Sequence, residues 1–258
     1  DPSSAHKMLT FCLDAILKKE HKRPTWPETV LNAFSAALSI FQRSADLYHR
    51  YTGLYKEPGP IAAAAFLRRL RDARRGLNPE EVLMIPLTLA NDNRRQTITL
   101  LLRKGTDDTG AYQLTIVNAG WGLEYHPVSV RSPPKQKATA ALVFDGVPAA
   151  RAEDDAWWAL LFTLCPLPVE TGGPRVFYDR LLPWLLGHPL EHELAGRTLE
   201  ATDWRTPQYT QQCGSWRSLT FALREILRQQ SVPIAAAKAI KWELRVRMLE
   251  MALADVHA

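Results

Sequence analysis

The order of sequence periods predicts an α+β protein in which an antiparallel β-sheet packs on helices. Helical spacing fills roughly the first third of the chain, short period-two segments follow, and helical spacing returns after residue 152. In the first third, Met8, Leu9, Cys12, Leu13, Ile16 and Leu17 predict a helix over 5–20 that Arg23-Pro24 ends. Pro27 opens a second helix to about Tyr51, with Val30, Leu31, Phe34, Leu38 and Phe41 on one stripe. A third runs from Pro60 to Gly76, and its arginine-rich end suits the negative end of the helix dipole.

Five strands are predicted next, over Glu81–Ala90, Gln96–Lys104, Tyr112–Asn118, Glu124–Arg131 and Ala138–Phe144, joined as a meander by turn formers such as Thr106-Asp107-Asp108-Thr109-Gly110. Helices follow over Ala152–Leu164, Phe177–Leu186, Ser215–Gln229 and Pro233–Asp255, with Ser231 as the expected cap of the last. Residues 132–135 and 169–174 read as loops, and the chain holds no repeat or low-complexity tract.

The 258 residues, 46% hydrophobic and 23% charged, can bury a full core, and the composition excludes a disordered or fibrous chain. The net charge of +5 is mild, and much of the excess lies in Arg68, Arg69, Arg71, Arg74 and Arg75. No aromatic platform, zinc spacing or glycine-rich phosphate loop accompanies these arginines, so a solvated basic face is expected and a nucleic-acid partner is not. No apolar run reaches the eighteen or so residues of a membrane span. Three isolated cysteines suit neither a disulfide framework nor a metal site, which implies a reducing, cytoplasmic compartment, or a host cytosol for a secreted effector. No metal or cofactor is expected.

Cys12 and Cys165 lie among apolar neighbours and read as core residues, as do most of the tryptophans, Trp157, Trp158 and Trp184 among them. Cys213 differs. It stands at the expected N-terminus of a helix, where dipole and free N–H groups stabilise a thiolate. Gln208, five residues earlier, could donate its amide to an oxyanion. The best placed base is His126, after the glycine-containing loop Asn118-Ala119-Gly120-Trp121-Gly122; the other six histidines sit in polar helical, terminal or loop contexts. Asn118, or less favourably Asp145, would orient it, and Trp121 and Trp216 could wall a substrate groove beside Gly122.

These residues resemble a known group. Asn118-x-Gly-Trp-Gly is similar to the Asn-Ser-Trp-Gly part of papain-like cysteine peptidases, and Gln208…Cys213-Gly214-Ser215-Trp216 is similar to their oxyanion glutamine and nucleophile. The order, with Cys213 last, is that of permuted papain-like folds and of the adenain, SUMO-protease and YopJ-type group. The resemblance covers roughly 94–229 and implies a papain-like core over 79–258 with a helical N-terminal extension over 1–78. It further implies a thiol isopeptidase acting on ubiquitin or a ubiquitin-like conjugate, with Cys213, His126, Asn118 and Gln208 catalytic. Those families place a histidine at the start of the strand before the Asn or Asp, where this chain has Gln96. The alternatives are therefore a catalytically inactive, peptidase-like interaction module and a YopJ-like acyltransferase.

Overall fold

A computed structural model describes residues 1–18, 26–56, 59–91, 94–106, 109–128, 137–166, 173–195, 204–205 and 214–257. Three helices open the chain, α1 (Pro2–Lys18), α2 (Glu28–Lys56) and α3 (Pro60–Arg75). Pro60 occupies the first turn of α3, where the N–H it lacks would have no helical partner.

The strands β1 (Val82–Asn91), β2 (Arg94–Lys104), β3 (Tyr112–Val117) and β5 (Ala141–Val147) form one antiparallel sheet in that order. Its registers place Leu100 opposite both Ile85 and Ile116, and Ile116 opposite Leu142. A second, two-stranded sheet pairs β4 (Ala138–Thr139) with β6 (Trp204–Arg205). The α+β class and the antiparallel meander are as the sequence predicts.

The predicted strand over Glu124–Arg131 is replaced by a 3-10 turn, Leu123–Tyr125, and a single bridge from Val128 to Ala138; 129–131 lie outside the described residues. Gly122 causes the change. Its φ of 92° turns the chain sharply, and Glu124 accepts its N–H at 3.0 Å. The predicted strand over Ala138–Phe144 is likewise divided at Ala140, whose carbonyl accepts the Asn118 N–H at 2.8 Å.

Strand alternation sorts the sheet's side chains between two cores. On one face Ile85, Leu87, Ile98, Leu100, Leu114, Ile116 and Phe144 meet α3, α5 (Asp155–Leu164) and the run of helical turns over 173–186. That run passes from α6 (Gly173–Val176) through a π-helical turn, Phe177–Leu181, into α7 (Leu182–Leu186). Short α4 (Ala149–Ala152) and α8 (Leu190–Leu194) close this side. On the other face Met84, Leu101 and Val117 meet α1, α2, α9 (Gly214–Gln229) and α10 (Ile234–His257). Helices α1 and α2 thus share a core with the C-terminal pair, whereas α3 belongs to the core on the opposite face.

Strand β1 is an edge, and helix α2 runs along it. Met84 N–H donates to Ser44 at 3.0 Å, Thr88 N–H to the Tyr51 hydroxyl at 2.6 Å, and Ala90 N–H to the Cys165 carbonyl at 3.1 Å. Pro86, at the intervening outward position, has no N–H to satisfy.

Several sequence expectations change in detail. Cys12 and Cys165 are buried, as expected. Trp157 and Trp158 are in the core, but Trp184 and Trp242 are exposed. His6 is buried, stacked on Phe41 and Tyr48, because it lies on the face of α1 that also buries Ser3, Leu9 and Leu13. The arginine run is only partly a solvated face. Arg74 is buried, donating to the Ala152 carbonyl and to Asp155 at 2.8 and 2.6 Å, and stacks 5.0 Å from the Trp158 ring. Arg69 pairs with Asp46 at 2.7 Å. Among the described residues no helix is long and apolar enough to cross a membrane.

Ser231, expected to cap α10, instead ends α9. Its φ is 57°, its N–H bonds the Arg228 carbonyl, and Val232 N–H bonds the Leu227 carbonyl, the paired bonds of a Schellman stop. A serine in this left-handed position carries a backbone strain that glycine avoids. Ser231→Gly should therefore stabilise the fold by about 1 kcal/mol, read as a raised urea midpoint with an unchanged slope.

Candidate functional site

Of the predicted site residues that the structure describes, Asn118, Trp121, Gly122 and His126 converge where β2 and β3 meet the loop 118–126, whereas Trp216 does not join them. Strand β2 carries Gln96 and β3 ends at Val117, which places Asn118 immediately past the sheet. The Asn118 side chain is fully buried and uses all its hydrogen-bonding capacity. Its Oδ1 accepts from Gln96 Nε2 at 3.1 Å and from Gly120 N–H at 3.0 Å, while its Nδ2 donates to the Trp121 carbonyl at 2.7 Å and the Tyr178 hydroxyl at 3.2 Å. Gln96 turns its own Oε1 to the Trp121 N–H at 2.8 Å. Two side-chain amides therefore hold both backbone polar groups of Trp121.

His126 completes the centre. It is 3% exposed, with Nδ1 2.8 Å from the Thr139 carbonyl and Nε2 2.9 Å from the Tyr178 hydroxyl. A carbonyl only accepts, so Nδ1 carries the proton and the Nε2 lone pair accepts from Tyr178. Burial then holds the imidazole neutral, with a pKa lowered from 6.5 to about 4, and pushes the Tyr178 phenol well above its ordinary value. Asn118 and His126 meet through Tyr178, not directly.

Gly122 is fixed by the same tyrosine. A Cβ there would lie 2.7 Å from Tyr178 Cε2 and 3.2 Å from Asn118 Nδ2, and Tyr125 stacks on Tyr178 with ring centroids 4.8 Å apart. Asp145 is not in this group; its Oδ1 accepts from Gln113 Nε2 at 2.6 Å, across β3 and β5.

Helix α9 approaches from the other face. Ser218 Oγ lies 2.8 Å from Thr99 Oγ1 and 3.2 Å from the Val117 carbonyl oxygen, and the Tyr48 hydroxyl lies 3.2 Å from the same Thr99 oxygen. This buried chain pins the first half of α9 to β2 and β3, one residue from Asn118. Trp216, in the first turn, is partly buried against the second core. Cys213 and Gln208 lie outside the described residues, and α9 is described from Gly214 onward.

Tyr178 and Thr139 were missed by sequence reasoning. Tyr178 sits sixty residues from Asn118 in a helical run with no motif of its own, and only the two glycines and Asn118 mark the loop that needs such a partner. No group of three or more His, Cys, Asp or Glu side chains that could hold a metal occurs among the described residues.

Fold and site together define an α+β protein with a saturated, uncharged polar centre at one end of its main sheet. Compared with protein families, with curated proteins and with solved structures, the chain finds no match.

Gly122→Ala should cost about 2–4 kcal/mol, from the left-handed backbone and the contact with Tyr178, measured by urea unfolding. A second expectation concerns pH. His6 and His126 both have folded pKa values near 4 against an ordinary 6.5, so the unfolded chain binds these protons more readily. Their contribution to stability is whole above about pH 6.5 and is lost as pH falls toward 4, by up to about 1.4 kcal/mol per pH unit for each. The unfolding midpoint should drop between pH 7 and pH 5, and by less in His126→Gln; equal midpoints would contradict buried neutral imidazoles.

Proposed function

We propose that the chain is a peptidase-like protein-interaction module: a cysteine-peptidase type of scaffold, of His-before-Cys order, that binds a ubiquitin-like partner without hydrolysing its conjugates. The carrying observation is the bond from Gln96 Nε2 to Asn118 Oδ1. In the resembling families a histidine at the position of Gln96 is oriented by the Asn or Asp of the next strand. An amide there keeps the orienting contact, but it cannot take a proton from a thiol near neutral pH. The state of His126 supports the same reading, because its free lone pair is engaged by Tyr178 and its proton by Thr139. The seating of α9 on β2 and β3 through Ser218 supports the scaffold itself. The loop of Asn118, Trp121 and Gly122, with Trp216 at the start of α9, is the proposed binding edge.

A second reading, thiol hydrolysis or acyl transfer by Cys213 with Gln208 as oxyanion donor, is favoured by one observation: α9, the helix that follows Cys213 in sequence, is seated on β2 and β3 beside Asn118. His126 would then have to exchange its Tyr178 bond for the sulfur, with the Thr139 carbonyl, in place of Asn118, orienting the ring through Nδ1.

One experiment separates the two. The protein is incubated with ubiquitin and ubiquitin-like proteins carrying a C-terminal thiol-reactive group, and binding of the unreactive forms is measured in parallel. Saturable binding with no covalent adduct, weakened at least tenfold by Trp121→Ala, is expected. An adduct lost in Cys213→Ala would establish the thiol reading instead, and neither adduct nor binding across the panel would overturn both.

A further inference from the structure

Helix α10 carries two apolar faces. Ile240, Leu244, Met248 and Met251, with Arg247, turn toward α1 and α9 and enter the second core. On the opposite side Trp242, Val246, Leu249 and Leu253 are 63%, 45%, 65% and 58% exposed. With exposed Ala235 and Ala239 they recur at alternating intervals of four and three residues, the heptad spacing of a coiled-coil seam. Val246 and Leu253 then occupy a positions, and Trp242 and Leu249 occupy d positions.

The flanking charges choose the occupant. Lys238 and Arg245 immediately precede a positions, and Glu243 and Glu250 immediately follow d positions. In a parallel, in-register pair of identical helices, Lys238 faces Glu243 of the second copy and Arg245 faces its Glu250. An antiparallel pair would set cation against cation and carboxylate against carboxylate. Within its own helix, Arg247 holds both acidic groups, at 2.7 Å for Glu250, while Arg245 stacks 4.7 Å from the Trp242 ring. Because α10 is already folded on its own core, pairing requires no helix nucleation.

We propose that this face is a self-association surface on which two copies of the chain pair through parallel, in-register α10 helices. The pairing removes Trp242, Leu249 and Leu253 from water and satisfies the charge pattern on both sides of the seam. It is independent of the reading of the Asn118 centre.

Sedimentation equilibrium of the whole protein across the micromolar range tests it. The expected result is a reversible doubling of mass that weakens at least tenfold in Leu249→Glu and in the double variant Lys238→Glu with Arg245→Glu. Both variants alter exposed positions, so thermal melts followed by circular dichroism should show the fold retained. Mild oxidation of Val246→Cys should link position 246 to position 246, identified by peptide mass. A single-chain mass at all concentrations would overturn the proposal and leave the face to another segment or another protein. A dimer that survives Leu249→Glu, or one that yields no 246-to-246 link, would overturn it too.

Discussion

A sheet buried on both faces still leaves backbone donors without a strand partner at its edges, and at the β1 edge helices cover those donors from water. An unsatisfied buried N–H costs roughly 1–3 kcal/mol, so each outward position needs a partner or no donor. From 84 to 90 the accounting closes with Ser44, a proline, Tyr51 and the carbonyl of Cys165. Two of those partners belong to α2, which is therefore bound to lie along the edge, and α2 in turn carries residues of both cores. The third is the end of α5. One strand edge thus fixes helices from widely separated parts of the chain, and it closes the route by which an exposed edge would pair with another molecule.

The Asn118 centre obeys the same rule with side chains. A buried polar network is stable only when every member is satisfied, since in a low-dielectric interior each missing bond is costly. Asn118 accepts two bonds and donates two, Gln96 bridges it to the backbone of Trp121, and Tyr178 couples it to His126. None of these groups is charged. A thiol-activating centre usually keeps a base whose lone pair is free to meet the sulfur, whereas this one is closed on itself, which is the ground for the proposal of recognition without proton transfer.

Much of the fold was legible in the residues. Apolar spacing located α1, α2, α3, α9 and α10 within a few residues, and turn formers separated β1, β2 and β3. The two-sided burial of the sheet was harder to read, because Leu-Leu-Leu in β2 has no polar alternation and its Thr97 and Thr99 are buried although polar, Thr99 against Ser218 of α9. The 124–131 stretch misled for a physical reason: Leu123 and Tyr125 alternate as a strand would, yet they bury one side chain and stack the other across a turn set by Gly122. Asn118 and His126 stood out by their loop, whereas Tyr178 did not, since a tyrosine beside a phenylalanine on a helix looks like ordinary core. Cys213 and Gln208, the centre of the sequence reading, lie outside the described residues.

Trp121 hangs from a peptide whose N–H and C=O are both claimed by buried amides, between one residue held by Asn118 and another that admits no side chain. The indole is in consequence carried on a backbone with little conformational freedom left to lose. A ligand that reached it would not have to order the loop first, so selectivity at this edge would arise from shape fixed in advance, and a poorly fitting partner could not be accommodated by loop rearrangement without breaking bonds deep in the protein.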